Sequence, residues 1–117
     1  MADPTRQVKL EIFAPPEVLE ALQAALAEVG AGRIGNYDQC MFVSRGTGYW
    51  RPLPGANPYH GQVGRIQSAA EVKIEVNCPL DLVPAALAAI RRIHPYEEPL
   101  INCVPLLNPE GKEETKP

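Results

Sequence analysis

An internal repeat constrains the fold of this chain more than any other feature. Residues 8–30, VKLEIFAPPEVLEALQAALAEVG, align without a gap on residues 72–94, VKIEVNCPLDLVPAALAAIRRIH, at a constant offset of 64 positions. Seven of the 23 aligned positions carry the same residue, and most of the others pair one apolar residue with another. The two segments are therefore expected to be copies of one structural unit that bury their apolar sides in a shared interior.

Each copy begins with the pattern of a strand. In residues 8–12 and 72–76, apolar residues alternate with lysine and glutamate, so that one face is apolar and the other is charged. A period of two with faces of this kind is typical of a strand that is covered on one side only. Pro15 and Pro79 follow the strands, where a proline suits the start of a helix because its missing N–H is not needed there.

Each copy continues with an amphipathic helix. The apolar residues recur at steps of three and four, as in a helix with one buried face. Gly30 is a natural end for the first helix, and Pro84 is compatible with the second because it lies in the first turn. The apolar stripes consist of Val18, Leu19, Leu22, Leu26 and Val29 in the first helix, and of Leu82, Val83, Ala86, Leu87, Ile90 and Ile93 in the second.

The order of the elements defines the fold class. A further strand is predicted after each helix, at residues 40–43 and 100–104, which gives the order βαββαβ. Two such units interleave into one four-stranded antiparallel sheet with both helices on one face. We therefore predict a single α+β domain with a ferredoxin-like fold at residues 8–107. It follows a polar N-terminal segment at residues 1–7 and precedes a charged tail at residues 108–117, which is predicted to be disordered.

A long connection separates the two halves of the chain. Residues 45–69 contain glycines and prolines that exclude a helix, and also Tyr49, Trp50 and Tyr59, which can pack. Connections longer than about 12–15 residues are uncommon in compact domains, and most serve function or assembly. We expect residues 45–69 to form an ordered loop of this kind.

Composition narrows the class of protein. The 117 residues are 45% hydrophobic and 21% charged, as in a single soluble domain. With a net charge of −3 the chain has no basic stripe for a nucleic acid, and no apolar run approaches the ~20 residues that cross a bilayer. The cysteines Cys40, Cys78 and Cys103 form no paired motif. This indicates a reducing, cytoplasmic setting in which the thiols fill the core.

Three stretches closely resemble one known family. They are GAGRIGNYDQC at residues 30–40, GTGYWRPLPGANPYHGQVG at residues 46–64 and HPYEEP at residues 94–99. Together they are similar to the domain that is inserted into NIF-three-like proteins (the YqfO family). The resemblance covers residues 8–107, and it implies that this domain stands alone here. In fold, that domain resembles the PII signalling proteins and CutA.

The resemblance implies binding or regulation rather than catalysis. The dinuclear metal site of full-length NIF-three-like proteins lies on flanking core domains, whereas this chain has only His60 and His94 as histidines. PII and CutA relatives assemble as trimers, which implies a homo-oligomer here, with a trimer favoured. Residues 45–69 occupy the place of the signalling loop of PII. Glu98 replaces an apolar residue of CutA-like chains, so the ligand sites of CutA are not transferred.

The segment HPYEEP leaves more than one interpretation open. If it is extended, His94 and Glu98 stand about 13 Å apart at ~3.3 Å per residue, which is too far for one metal ion to bridge. A structural interpretation therefore comes first, in which a charged His94 caps the second helix and Tyr96 packs. A metal site needs a bend and His60 from the loop. Acid–base catalysis by Glu97 and Glu98 is weaker still, because adjacent strand residues point to opposite faces.

The expected function is that of a non-enzymatic, oligomeric binding or regulatory domain, with a ligand that the sequence does not specify. A small-molecule or protein partner is expected besides further copies of the chain, and neither a nucleic acid nor a membrane. The alternative is a divalent metal-binding protein that uses His60, His94 and Glu98, and no other cofactor is expected. A third interpretation is an enzyme that needs a separate core partner. The predicted ligand surface consists of Tyr49, Trp50, Arg51, Tyr59, His60, Tyr96 and Glu97.

Overall fold

The computed structural model, which describes residues 6–107, contains one four-stranded sheet and two α-helices. The strands are antiparallel and lie in the order β2-β3-β1-β4. This confirms the predicted α+β, ferredoxin-like fold. The elements in chain order are β1 (Gln7–Ala14), α1 (Leu19–Glu28), β2 (Met41–Trp50), β3 (Gln67–Pro79), α2 (Val83–Ile93) and β4 (Ile101–Pro105), with short 3-10 turns at Pro16–Val18 and Leu80–Leu82.

Strand β1 begins at Gln7, one residue before the predicted start of the domain at residue 8, and Gln7 pairs with Pro79. The tail at residues 108–117, which is predicted to be disordered, lies outside the described residues.

The two copies of the repeat meet at the centre of the sheet. Their first strands, β1 and β3, are neighbours, with Leu10 opposite Val76 and Ile12 opposite Ile74. The apolar residues of both strands form one buried cluster with the apolar stripes of the helices, so both helices lie on the same face. The fully enclosed part of this core contains Val8, Leu10, Ile12, Ala14, Leu22, Leu26, Ala31, Val72, Ile74, Val76, Cys78, Ala86 and Ile90.

Each α-helix follows a 3-10 turn that contains the first residue of its predicted apolar stripe, Val18 or Leu82. Pro84 lies in the first turn of α2, where its missing N–H breaks no helical hydrogen bond. Helix α1 ends just before Gly30, whose φ of 96° is left-handed, a conformation that glycine adopts without a steric penalty. The N–H of Ala31 then donates to the carbonyl oxygen of Leu26 at 3.0 Å. All residues of both predicted stripes are buried or packed against the core.

The face of the sheet opposite the helices carries paired charges. The Lys9 ammonium lies 2.8 Å from the Glu75 carboxylate and 3.2 Å from that of Glu11, and Lys73 lies 3.7 Å from Glu11. The hydrogen bond to Glu75, followed by that to Glu11, raises the pKa of Lys9. Hydrogen bonds from Asn102 and then Lys9 lower the pKa of Glu11. Since these groups face solvent, their pairs stabilise the fold only weakly.

Strands β2 and β3 are longer than the sequence predicts. Residues assigned to the loop pair across the two strands as far as Trp50 and Gln67. The connection is therefore residues 51–66 rather than residues 45–69. The two glycines within β2 suggested a loop, but the ladder of cross-strand hydrogen bonds overrides this weak local preference. Because β1 ends opposite Val72, the last part of β2 and the first part of β3 extend past it as a two-stranded arm.

The cysteines follow the prediction only in part. Cys78 is buried, Cys40 is partly buried and Cys103 is exposed. Cys103 does not fill the core because it lies on β4, at the edge of the sheet. Burial raises the pKa of the Cys78 thiol to about 11.

Neither helix of the described residues has the length and apolarity that a membrane span requires.

Candidate functional site

The candidate site lies at the end of the sheet where β1 stops and the arm continues. Loop 51–66 and the segment 94–100 meet there and enclose a pocket of about 410 Å³, which is within the range of small-molecule sites. The structure brings all of the predicted ligand-surface residues together around this pocket: Tyr49, Trp50, Arg51, Tyr59, His60, Tyr96 and Glu97.

His94 attaches the segment 94–100 to β1. Its ring Nε2 lies 2.7 Å from the carbonyl oxygen of Phe13, and its Nδ1 accepts the N–H of Tyr96 at 3.2 Å. Both ring nitrogens of His94 therefore have hydrogen-bond partners within the protein. His94 does close α2, through its own backbone N–H to the carbonyl oxygen of Ile90 at 2.8 Å. The predicted cap is thus made by the backbone of His94, while its ring holds the segment to β1.

Tyr96 lies at the centre of an aromatic cluster. Its ring centroid is 6.0 Å from that of Trp50, 5.9 Å from that of Tyr59 and 4.9 Å from that of His94. Its hydroxyl donates to the Glu71 carboxylate on β3 at 2.9 Å. Burial, and then this hydrogen bond, raises the pKa of Tyr96. At neutral pH the phenol therefore keeps its proton.

Trp50 joins the end of the arm to the loop. Its indole N–H donates to the carbonyl oxygen of His60 at 3.1 Å. The His60 ring stands edge-on to the indole, with ring centroids 5.7 Å apart. A buried or half-buried indole N–H needs such a partner, so this contact fixes the orientation of the ring at the pocket wall.

Two further hydrogen bonds attach the loop to the body of the domain. The backbone N–H of Asn57 donates to the Glu97 carboxylate at 3.0 Å. The Tyr59 hydroxyl donates to the Glu17 carboxylate at 3.2 Å, and this bond is the main reason that the pKa of Tyr59 is raised. The loop is thus held from both sides of the pocket.

The sequence reasoning missed two strand residues of the site. Phe13 and Glu71 both line the pocket. Glu71 continues the charged alternation of Lys73 and Glu75 by two residues, which was the available signal, but it lies just before the predicted strand at residues 72–76. Its carboxylate occupies the space above Gly48, where a Cβ would overlap it.

The residues of the predicted metal site do not converge. Within residues 6–107, no group of three or more His, Cys, Asp or Glu side chains is arranged to hold a metal ion. Glu98 and His60 line the pocket, but both ring nitrogens of His94 are already hydrogen-bonded. The structure therefore does not assemble His60, His94 and Glu98 as a ligand set.

Sequence comparisons identify relatives that are longer than this chain. No protein-family model matches the chain. A Mycobacterium leprae protein named GTP cyclohydrolase 1 type 2 homolog is 42% identical over 103 residues, which are 88% of this chain and 27% of that protein. A Bacillus subtilis protein of the same name is 40% identical over 98 residues, 84% of this chain and 26% of that protein. The chain thus spans about a quarter of the length of the curated relatives it matches.

Solved structures show the same fold. A Bacillus cereus protein related to NIF3 superposes with a TM-score of 0.79 at 36% identity, over 93% of this chain and 27% of that chain. The periplasmic divalent cation tolerance protein CutA from Archaeoglobus fulgidus superposes with a TM-score of 0.66 at 18% identity, over 87% of this chain and 85% of that chain. Bacillus subtilis GlnK in complex with ATP gives 0.61 at 17% identity, over 87% and 85% of the two chains. The last two likenesses show the fold alone.

Proposed function

Since the chain belongs to the family of NIF3-related proteins, where it corresponds to one domain, we propose that it is a non-enzymatic binding or regulatory domain. Its ligand site is the pocket between loop 51–66 and the segment 94–100. The observation that supports this most is the pocket itself, which is preformed, lined by five aromatic side chains and provided with a few polar groups at its wall. Pockets of this character are typical of small-molecule sites.

Polar side chains at the pocket already make hydrogen bonds within the protein, which favours a binding site over a catalytic site. Glu97 accepts a backbone N–H of the loop, and Glu71 accepts the hydroxyl of Tyr96. Both ring nitrogens of His94 hold the segment in place. A general base must be able to take a proton from a substrate, and these groups are occupied in holding the walls of the pocket.

We further propose that the chain forms a homo-oligomer, with a trimer favoured by its PII/CutA-like fold. Strand β2 is an edge strand of ten residues, and proteins commonly cover or blunt long edges of this kind. Phe42 and Tyr49 on β2 and Ile66 beside it are 66%, 72% and 76% exposed. A second copy that covers this edge would bury these side chains.

A ligand screen tests the binding proposal. Trp50 is the only tryptophan of the chain and lies in the pocket wall, so its emission reports on the site alone. In a library of small metabolites, we expect at least one compound to raise the melting temperature and to change the Trp50 emission. Tyr96→Ala should lose both effects. Tyr37→Ala, at a residue that is 75% exposed and outside the pocket, should keep them.

Two results of this screen would count against the binding proposal. A library without any compound that changes both the emission and the melting temperature would contradict the binding proposal. So would a ligand that acts equally on Tyr96→Ala, because its site would then lie elsewhere.

The name of the relatives, GTP cyclohydrolase 1 type 2 homolog, raises the enzymatic alternative. Incubation of the chain with GTP, followed by chromatography of the nucleotides, should leave GTP unchanged. Turnover by the chain that a pocket variant such as Tyr96→Ala abolishes would replace the present proposal with an enzymatic one.

A further inference from the structure

The walls of the pocket differ in chemistry from an ordinary apolar pocket, because aromatic faces and carboxylates occur together. Resting on the proposed function, we infer that the ligand of this pocket is a small organic cation, a quaternary ammonium or a protonated amine.

The aromatic surface suits a rounded cation better than a flat ring. The planes of Trp50 and Tyr96 meet at 41° and those of Tyr59 and Tyr96 at 46°, with centroids about 6 Å apart. Rings this close contact each other and leave no parallel slot between them for a planar ligand. Their tilted rings form part of the pocket wall instead, where a ring face can meet a ligand. A cation within about 6 Å of such a face is attracted by the quadrupole of the ring.

The charge around the pocket favours a positive ligand. Three carboxylates line it, those of Glu71, Glu97 and Glu98, against the guanidinium of Arg51. The Lys73 ammonium lies over the ring of Phe13 at the pocket wall, so the carboxylates outnumber the nearby cations by one. The described donors to Glu71 and Glu97 are a phenol and a backbone amide. Both donors are neutral, so these two hydrogen bonds leave the negative charges of the carboxylates uncompensated. A cation bound here gains Coulomb attraction, and an anion is repelled.

The hydrogen bonds of the tyrosines strengthen the same preference. Tyr96 donates to Glu71 at 2.9 Å and Tyr59 donates to Glu17 at 3.2 Å. A phenol that donates to a carboxylate gains electron density in its ring, which makes the ring face more attractive to a cation. The raised pKa values of both tyrosines are consistent with these anionic partners.

The same features do not suit a metal ion. A divalent ion such as Ca²⁺ requires several oxygen ligands at about 2.3–2.6 Å, and within residues 6–107 no three acidic, histidine or cysteine side chains converge in this way. An organic cation spreads its charge over a larger surface and needs only ring faces and nearby carboxylates. The chain already contains one such contact at the pocket, where the Lys73 ammonium lies 5.7 Å from the centroid of the Phe13 ring.

The test compares a cation with its neutral isostere. Choline chloride and tetramethylammonium chloride are titrated into the full chain at constant ionic strength, with Trp50 emission as the readout. The control ligand is 3,3-dimethylbutan-1-ol, which has the shape of choline without its charge. We expect saturable binding of choline, with the neutral isostere about tenfold weaker.

A matched pair of variants locates the charge. Glu71→Gln keeps an acceptor for the Tyr96 hydroxyl but removes the negative charge, and it should weaken choline binding about fivefold while leaving the neutral isostere unchanged. Glu75→Gln is the control, since Glu75 lies on the same face of the same strand and outside the pocket. Its choline affinity should equal that of the unmodified chain.

Each other outcome overturns the inference. Equal affinity for choline and its neutral isostere would show an apolar site, and would leave the proposed binding function intact. The absence of saturable binding by choline and by tetramethylammonium would exclude this ligand class, and the metabolite screen would then decide separately whether the pocket binds another ligand. Equal losses in Glu71→Gln and Glu75→Gln would show that charge acts at long range rather than within the pocket.

Discussion

Gly48 controls the position of a neighbouring carboxylate. A Cβ at this position would overlap the carboxylate of Glu71, whereas a Cβ at Gly46 would meet open space. Both glycines lie on β2 with side-chain positions on the same face, opposite Ala69 and Glu71 respectively. The absence of a side chain at Gly48 therefore allows Glu71 to lie within reach of Tyr96.

A single substitution tests this role. We expect Gly48→Ala to displace the Glu71 carboxylate and to break its hydrogen bond with Tyr96, which lowers the free energy of unfolding by about 1–2 kcal/mol. Chemical denaturation measures the loss. Gly46→Ala should change stability by less than about 0.5 kcal/mol. Equal effects of the two variants would assign the loss to the backbone of β2 rather than to Glu71.

The cysteines should differ in reactivity. Cys103 is exposed, whereas Cys78 is buried and the pKa of its thiol is raised to about 11. Since the thiolate is the reactive form, we expect a thiol reagent at pH 8 to modify Cys103 quickly and Cys78 only after unfolding. Mass spectrometry of digested protein identifies the modified residue, and Cys103→Ser should remove its fast phase. Rapid modification of Cys78 in the folded chain would contradict the burial.

At the scale of elements, the segment 94–100 is held to the sheet by contacts from one end to the other. His94 bonds to the carbonyl oxygen of Phe13, and the Phe13 N–H donates to the carbonyl oxygen of Leu100 at 3.2 Å. Between these points Tyr96 reaches Glu71 on β3. Where β1 ends, the segment 94–100 thus lies next to β3 instead. The segment forms one wall of the pocket.

The two histidines form a matched pair for testing this element. His94→Ala leaves the carbonyl oxygen of Phe13 and the N–H of Tyr96 without their partner, and we expect it to lower the free energy of unfolding by about 1–3 kcal/mol. His60→Ala removes an exposed ring and should change stability by less than about 0.5 kcal/mol. Thermal and denaturant unfolding measure both.

The same two variants test the alternative function, which is the binding of a divalent metal ion. A divalent ion that raises the melting temperature of the unmodified chain, but of neither His94→Ala nor His60→Ala, would support the site of His60, His94 and Glu98. We expect no such pattern, because the ring of His94 has no nitrogen left to bind a metal while its two hydrogen bonds remain.

At the scale of the whole molecule, a homo-oligomer would cover the exposed edge of the sheet, which is strand β2. Light scattering coupled to size-exclusion chromatography should give a mass above the 12.8 kDa of one chain, with three chains favoured. Phe42→Glu, on the outer strand, should shift this mass towards a single chain without loss of secondary structure. A charge there would be buried on assembly, which is unfavourable without a partner.

A matched substitution away from the sheet controls this test. Ala24→Glu places the same charge on an exposed position of α1 and should leave the mass unchanged. A single chain at high protein concentration would contradict the homo-oligomer, and equal shifts in the two variants would indicate a general effect of charge.

The sequence by itself determined the architecture and its buried face. The repeat, the alternation at residues 8–12 and 72–76, and the three- and four-residue steps of the helices all express local periodicity, which sets the face a side chain takes. Pro84 and Gly30 fixed helix ends through backbone preferences that act within one turn. The aromatic residues of the site were also recognisable, because large side chains in a glycine- and proline-rich connection need something to pack against.

Only the tertiary structure decided how the site is closed. The extent of the arm depends on pairing between residues such as Trp50 and Gln67, and the position of the His94 ring depends on a carbonyl oxygen of Phe13, 81 positions away. Glu71 became part of the site because the register of β2 and β3 puts it opposite Gly46, with its carboxylate over Gly48. These contacts join residues that are distant along the chain, and no local pattern encodes the register and packing that bring them together.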